Sequence, residues 1–247
     1  MSKARLDMLL VDRGLAPSRE RARALILAGQ VTVNGQVVSK AGTPIAPDAL
    51  VELAAPDHPY VGRGGVKLAG ALDSFGIDVT GRRALDIGAS TGGFTDVLLQ
   101  RGAASVIALD VGHGQLDWRL RTDARVVVVE GVNARMLSAA DLPYAPDLVT
   151  IDVAFISLRH ILPRLPAIVA PGADVVALVK PQFEAGRDQV RSGGLVTDPV
   201  IHEAVLAGVT QAAADLGFTR IAMSPSPITG AAGNQEFFLH LRPAVHA

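Results

Sequence analysis

The chain has no cysteine, so disulfides and cysteine-ligated zinc are excluded. Its six histidines are scattered, with no pair at metal-ligand spacing, and no metal is expected. It also lacks any run of about 18 or more uncharged apolar residues, which argues against a membrane-spanning helix. The opening Met1-Ser2-Lys3-Ala4-Arg5 runs into Asp7, Asp12 and Arg13 without an apolar core, so no export signal is expected and the protein reads as cytoplasmic. Strong net charge is missing too. With 23 Lys/Arg against 24 Asp/Glu the balance is −1, which argues against a general polyanion binder.

What remains is a 247-residue chain, 49% apolar and 19% charged, long enough for a small domain and a medium one with a substantial core. The near-zero charge conceals an asymmetry. Residues 1–47 carry seven Lys/Arg against three acids, a local +4 that leaves the other 200 residues at −5. A basic front end on a mildly acidic body points to nucleic-acid contact delivered by one part of the chain.

The front end reads as a small α+β module. Leu6, Leu9 and Leu10 before Gly14 suggest a short amphipathic helix over 5–15. Ser18 is placed to cap a second helix through Ala28, with Arg19 and Arg23 one turn apart on its exposed side. Val31-Thr32-Val33, Asn34-Gly35 and Val37-Val38 predict a hairpin, and 50–53 a closing strand. The Pro/Gly-rich stretch 55–65 reads as a linker between a first domain, 1–54, and a second, 66–247. Beyond it, buried-strand runs occur at 84–87, 106–109, 126–129, 148–151, 175–179, 220–223 and 236–241. Helical segments at 94–100, 158–169 and 200–216 alternate with them. The expected fold is α/β: a Rossmann-like, doubly wound, mostly parallel seven-stranded sheet.

The first of these strands leads into Asp86-Ile87-Gly88-Ala89-Ser90-Thr91-Gly92-Gly93-Phe94. Glycines there let backbone approach a ligand at the carboxyl end of the strand. The D-x-G-x-x-x-G-G spacing is that of S-adenosylmethionine enzymes, with Asp86 expected to help manage the methionine ammonium. Asp110 ends the next strand about twenty residues on, where an acid binds ribose hydroxyls. Asn133 follows the third strand, as an adenine contact or as a plain turn residue. Asp152 and Lys180 close the fourth and fifth strands on the cofactor side of the switch point.

On these residues the chain resembles the TlyA (hemolysin A-like) family, which pairs an S4 RNA-binding domain with an FtsJ-like ribose methyltransferase domain. The S4 likeness rests on Arg5-Leu6-Asp7, Ser18-Arg19 and Gly29-Gln30-Val31-Thr32-Val33-Asn34-Gly35. The catalytic likeness rests on Arg63-Gly64-Gly65-Val66-Lys67-Leu68, Asp152-Val153-Ala154-Phe155-Ile156-Ser157-Leu158, Val179-Lys180-Pro181-Gln182-Phe183-Glu184 and Gly233-Asn234-Gln235-Glu236-Phe237. Ala154 stands where a serine is common, and 57–61 lacks the Arg-Ala-Trp-Val linker sequence of the mycobacterial member.

The resemblance implies a K-D-K-E tetrad of Lys67, Asp152, Lys180 and Glu236. It implies an S-adenosylmethionine site with Asp86, Gly88, Ser90, Gly92, Gly93, Phe94, Asp110, Asn133 and Asp152. It also implies an RNA partner, ribosomal RNA or ribosomal subunits, met by Arg5, Arg19, Arg23 and Asn34. Lys180 is expected to accept or steer the 2′-hydroxyl proton, Asp152 to orient it, and Lys67 with Glu236 to hold the ribose. The segment 184–199 is expected as a mobile lid. The rival readings are a non-enzymatic RNA-binding protein with a scaffold Rossmann-like domain, a methyltransferase for a small molecule or protein, and a membrane-lytic hemolysin.

Overall fold

The computed structural model describes residues 3–16, 18–27, 29–53, 58–230 and 232–244. The chain divides into two units, Met1–Pro59 and Tyr60–Ala247.

The first unit runs β1 (Ala4–Arg5), α1 (Leu6–Asp12), α2 (Arg19–Leu27), β2 (Val31–Val33), β3 (Gln36–Val37), β4 (Pro44–Ile45) and β5 (Val51–Leu53). Leu6, Leu10, Ala22, Ile26 and Val31 are fully buried and form its core. The hairpin expected from Asn-Gly is present: Asn34 and Gly35 take φ of 50° and 78°, the left-handed pair that a tight turn between β2 and β3 requires. The pairing of β1 with β4 had no signal in a two-residue sequence window. Ala28, the expected last residue of the second helix, and the expected linker residues 55–57 lie outside the described residues.

The second unit runs α3 (Gly64–Phe75), β6 (Arg83–Ile87), α4 (Gly93–Gln100), β7 (Ser105–Asp110), α5 (Trp118–Arg121), β8 (Val126–Glu130), β9 (Leu148–Ile151), β10 (Asp174–Val179), α6 (Pro181–Glu184), α7 (Pro199–Ala214), β11 (Phe218–Pro225) and β12 (Phe237–Pro243). All seven expected strands form one sheet, in the order β11-β12-β10-β9-β6-β7-β8. It is parallel from β10 to β8, while β12 runs antiparallel to both β10 and β11. The chain winds outward from β6 through β7 to β8, then crosses back to β9, so the topological switch point lies between β6 and β9. Each face of the sheet is covered. Leu68 and Leu72 of α3 and Val97 and Leu98 of α4 pack on one side, Val205 and Val209 of α7 on the other.

Two expectations need correction. Helix α3 begins inside the segment read as linker. Its glycines are packing residues rather than breakers: a Cβ on Gly65 would lie 2.4 Å from the Tyr60 side chain, so only glycine admits that ring. The helix expected over 158–169 is instead two 3₁₀ stretches, Leu158–His160 and Leu162–Ala167. Pro163 and Pro166 withhold the backbone N–H groups that a continuous α-helix needs. The buried Leu158, Ile161, Leu162 and Leu165 still cover the sheet.

At the amino end of β10, Asp174 is nearly fully buried and accepts from His240 Nε2 (2.7 Å), Arg242 Nε (2.5 Å) and Arg82 Nη2 (2.9 Å). Burial pushes this carboxyl up, but the three donors outweigh it and hold it well below the usual carboxylate range. The cluster locks the strand ends opposite the functional edge. No helix among the described residues is long and apolar enough to cross a membrane.

Candidate active site

Strand register and side-chain parity together assemble the site. Ile87 of β6 pairs with Ile151 of β9, so the next residues, Gly88 and Asp152, lie side by side at the carboxyl edge. Val179 pairs with Phe237 in the antiparallel ladder, which brings Lys180 beside Glu236 at the same edge. Successive strand residues face opposite sides. Val175, Ala177 and Val179 belong to one core and Val176 and Leu178 to the other. Lys180, in extended backbone, continues on the second side, as do Asp152 after Ile151 and Glu236 before Phe237. That side is the one α3 covers, and α3 carries Lys67.

The four side chains close into two ion pairs. Lys67 Nζ donates to Glu236 Oε2 at 2.5 Å, with side-chain exposures of 12% and 3%. Lys180 Nζ lies 2.5 Å from Asp152 Oδ1, with exposures of 13% and 21%. The second contact is a close charge pairing without hydrogen-bond alignment, because Asp152 Oδ1 is buried and has no hydrogen-bond partner among the described residues.

Beside these pairs lie two cavities that share Gly88, Ser90 and Asp152. One, about 250 Å³, is lined by Arg63, Lys67, Gly93, Phe94 and Thr229 among others. The second, about 550 Å³, is lined by Asp110, Val111, Asn133, Phe155 and Ile161. Gly88 makes the approach possible. At φ of 87°, a Cβ would lie 2.2 Å from the Asp152 carbonyl oxygen. Asp110 accepts the N–H of Ser90 on Oδ2 and that of Gly112 on Oδ1, each at 2.8 Å, which fixes its carboxylate at the cavity wall. Each oxygen keeps a second lone pair for a ligand hydroxyl. The lining suits a ligand with vicinal hydroxyls and a flat ring against Val111, Val132 and Ile161.

Two expected contacts sit elsewhere, and a third is engaged in its own turn. Asp86 does not line either cavity. It is fully buried beneath the glycine loop, accepting from Thr95 Oγ1 at 2.7 Å and Thr150 Oγ1 at 3.0 Å. The even positions of β6 face α4, so Asp86 points at Thr95 rather than at a ligand. Gly92 is also absent from the linings: its missing Cβ makes room for Leu116 and Leu120, and its φ of 98° starts α4. Asn133 lines the larger cavity, but its Oδ1 accepts from the Arg135 N–H at 3.0 Å, the turn role that the sequence left open.

Burial, helped by the Asp152 charge and opposed by the two threonine hydrogen bonds, pushes the Asp86 carboxyl up from 3.8 to about 7. A raised folded-state pKa means the native state binds the proton more tightly. Its stabilisation is complete below about pH 3.8 and is lost as the pH rises towards 7. Asp86→Asn keeps a donor and an acceptor for the threonines without that dependence. Its melting temperature relative to the unaltered protein is expected to rise between pH 5 and pH 8. A pH-independent difference would contradict the assignment.

The segment expected as a lid is anchored at both ends. Glu184 accepts from Ser157 Oγ at 2.6 Å and the Leu158 N–H at 2.7 Å. The buried Asn234 accepts from the Val196 N–H and donates to the Gly194 carbonyl, both at 2.8 Å. Sequence reading also missed Phe155. It is 91% exposed in left-handed backbone (φ 63°), with its ring 5.3 Å from that of Phe183, at the mouth of the larger cavity. Both phenylalanines lie inside quoted motifs, and an aromatic following a strand-end acid was the available signal.

In the first unit, Arg5, Arg19 and Arg23 converge on Asp7. Asn34 Oδ1 accepts from the Leu50 N–H at 3.0 Å, so this side chain also ties its turn to the chain entering β5.

The FtsJ-like methyltransferase family model matches residues 60–243, and the S4 domain model matches residues 4–51. The chain is 48% identical over 241 residues to the 16S/23S rRNA (cytidine-2'-O)-methyltransferase TlyA of Mycobacterium tuberculosis strain H37Rv, covering 97% of this chain and 90% of that protein. It is 41% identical over 237 residues to Hemolysin A of Brachyspira hyodysenteriae, covering 96% and 98%. A solved structure from Streptococcus thermophilus, of a protein assigned as a hemolysin, superposes with a TM-score of 0.78 at 46% identity, covering 99% and 90%.

Proposed function

The chain belongs to the FtsJ-like methyltransferase family, in the TlyA group that carries an S4 domain, and from this premise we propose that it methylates ribose 2′-hydroxyls of ribosomal RNA. The observation that carries this reading is the pairing of Lys67 with Glu236 and of Lys180 with Asp152 beside a glycine-walled cavity. S-adenosylmethionine fits the donor set: Gly88 and Ser90 give close backbone, Asp110 meets the ribose hydroxyls, and Val111 and Ile161 flank the adenine. Held there, it supplies an already activated methyl group.

The protein's own work is therefore alignment and proton removal. A ribose hydroxyl holds its proton tightly at neutral pH, and Lys180 Nζ is the group that accepts or steers it. Asp152 orients that amine through their close contact. Lys67 and Glu236, locked to each other, hold the ribose in line. The Phe155–Phe183 pair at the mouth offers an apolar face to an unstacked base. The domain carrying this chemistry spans 60–247, since α3 and the cavity wall begin inside the stretch read as linker, with 1–54 as the RNA-binding domain. In the first unit Arg5, Arg19 and Arg23 supply phosphate contacts, so RNA affinity falls steeply with salt. The protein acts in the cytoplasm, where its substrate resides.

Isolated ribosomal subunits incubated with the protein and methyl-labelled S-adenosylmethionine test the reading. Label is expected to survive protease and to be released by ribonuclease. Label released by protease would indicate a protein substrate, and no transfer to any subunit would remove the RNA reading.

A further inference from the structure

Asp7 opens the first turn of α1 with its carboxylate completely buried, yet three arginines reach it. Arg5 approaches with Nε at 2.9 Å from Oδ1 and Nη2 at 3.0 Å from Oδ2. Arg19 approaches with Nε at 3.0 Å from Oδ2, and Arg23 with Nε at 3.6 Å from the same oxygen. The arginine side chains are 44%, 53% and 56% exposed. Arg5 spends both Nε and Nη2 on this acid, whereas Arg19 and Arg23 meet it through Nε, and among the described residues no hydrogen bond engages their terminal nitrogens. Hydrogen bonding from Arg5, aided by Arg19 and opposed by burial, holds the Asp7 carboxyl well below the usual carboxylate range, so the anchor stays ionised.

One buried negative charge among three guanidinium groups leaves a surplus of positive charge on a fixed frame. A free arginine loses rotamer freedom when it is immobilised on a ligand, and a pre-anchored one has already given up much of it. Guanidinium forks match phosphate oxygens bidentately. We propose that Asp7 is a positioning residue for RNA binding: it gathers Arg5, Arg19 and Arg23 into one preformed seat for backbone phosphate. This rests on the reading of the first unit as RNA-binding.

Charge and geometry make opposite forecasts for Asp7→Asn, which is what makes the role testable. Removing a negative charge beside three arginines tightens RNA binding if charge count governs it. Losing the anchor weakens binding if pre-alignment governs it. The full-length protein is titrated onto a fluorescently labelled ribosomal RNA transcript at stepped KCl concentrations. Expected for Asp7→Asn is a Kd raised about tenfold at moderate salt, with the slope of log Kd against log salt flattened by about one phosphate contact. An unchanged or lower Kd, or a steeper slope, overturns the proposal.

Because Asp7 is buried, its replacement is followed by thermal denaturation. If the unit unfolds, Arg19→Lys decides, since it keeps the charge but cannot offer one nitrogen to Asp7 and a fork to phosphate. Arg19→Lys is expected to lose nearly as much affinity as Arg19→Ala; affinity equal to the unaltered protein overturns the proposal. Unchanged Kd values for both Arg19→Ala and Arg23→Ala overturn this role and the RNA reading of the unit together. A loss in those two variants with tight binding retained by Asp7→Asn overturns the role of Asp7 alone.

Discussion

Lys180→Ala is expected to lower methyl transfer by about 100- to 10,000-fold, the range a positioned proton acceptor contributes. Its affinity for S-adenosylmethionine should stay within about twofold, because transfer depends on the amine whereas the walls of both cavities are built from other residues. The side chain meets Asp152 at its tip, and Asp152 keeps its backbone place through the N–H bond to the Ile87 carbonyl at 2.9 Å. Single-turnover transfer to ribosomal subunits, with calorimetric titration of the methyl donor, separates the two quantities. Parallel loss of binding and transfer would assign Lys180 a structural role instead.

Gly88→Ala is the complementary case, in which cofactor binding itself is expected to fail. A Cβ there collides with the Asp152 carbonyl oxygen, an atom of rigid strand-end backbone, and the residue sits at φ of 87°. The loop must then move away from the cavity or push Asp152 out of reach of Lys180. Expected is a loss of S-adenosylmethionine affinity of at least about tenfold together with a lower melting temperature, since positive φ alone costs a non-glycine residue about 1 kcal/mol or more. Gly172→Ala provides the control: its φ is 72° but nothing lies within 4 Å of the added atom. It should lose a little stability and no activity. Equal behaviour of the two variants would mean that backbone strain, not close approach, explains Gly88.

The difference between what was legible in the sequence and what was not follows from the range of the interactions involved. The seven strands announce themselves because each is apolar on both faces, a pattern that burial between two helical layers imposes locally. Asp110, Asp152 and Lys180 are legible for the same reason, since a charge ending an apolar run stands out. The partner of Glu236 is another matter. Lys67 lies 169 positions away, and the two meet through the antiparallel return of β12 beside β10 together with the packing of α3 on that face of the sheet. Family likeness joined those two residues; periodicity had no means to do so.

Asp86 shows the opposite failure. It sits in the expected motif, yet strand parity turns its side chain under α4, where Thr95 and Thr150 receive it. Its contribution to the site runs through the shape of the loop above it. Arg5, Arg19 and Arg23 were legible as RNA contacts through family likeness, but the buried acid that gathers them was hidden because nothing in its local sequence distinguishes a buried aspartate from an exposed one.

Alternating charge along one sheet edge is the feature from which the rest derives, and the position of the transferred methyl group reports on it most directly. Ribosomal RNA methylated by this protein should be digested to nucleosides and also tested for resistance to alkaline hydrolysis. Expected is 2′-O-methylnucleoside at one or a few defined positions, each a gap in the alkaline ladder, and none when the protein carries Lys180→Ala. Methyl groups on a base, or 2′-O-methylation that persists in the Lys180→Ala protein, would contradict the catalytic role of the tetrad.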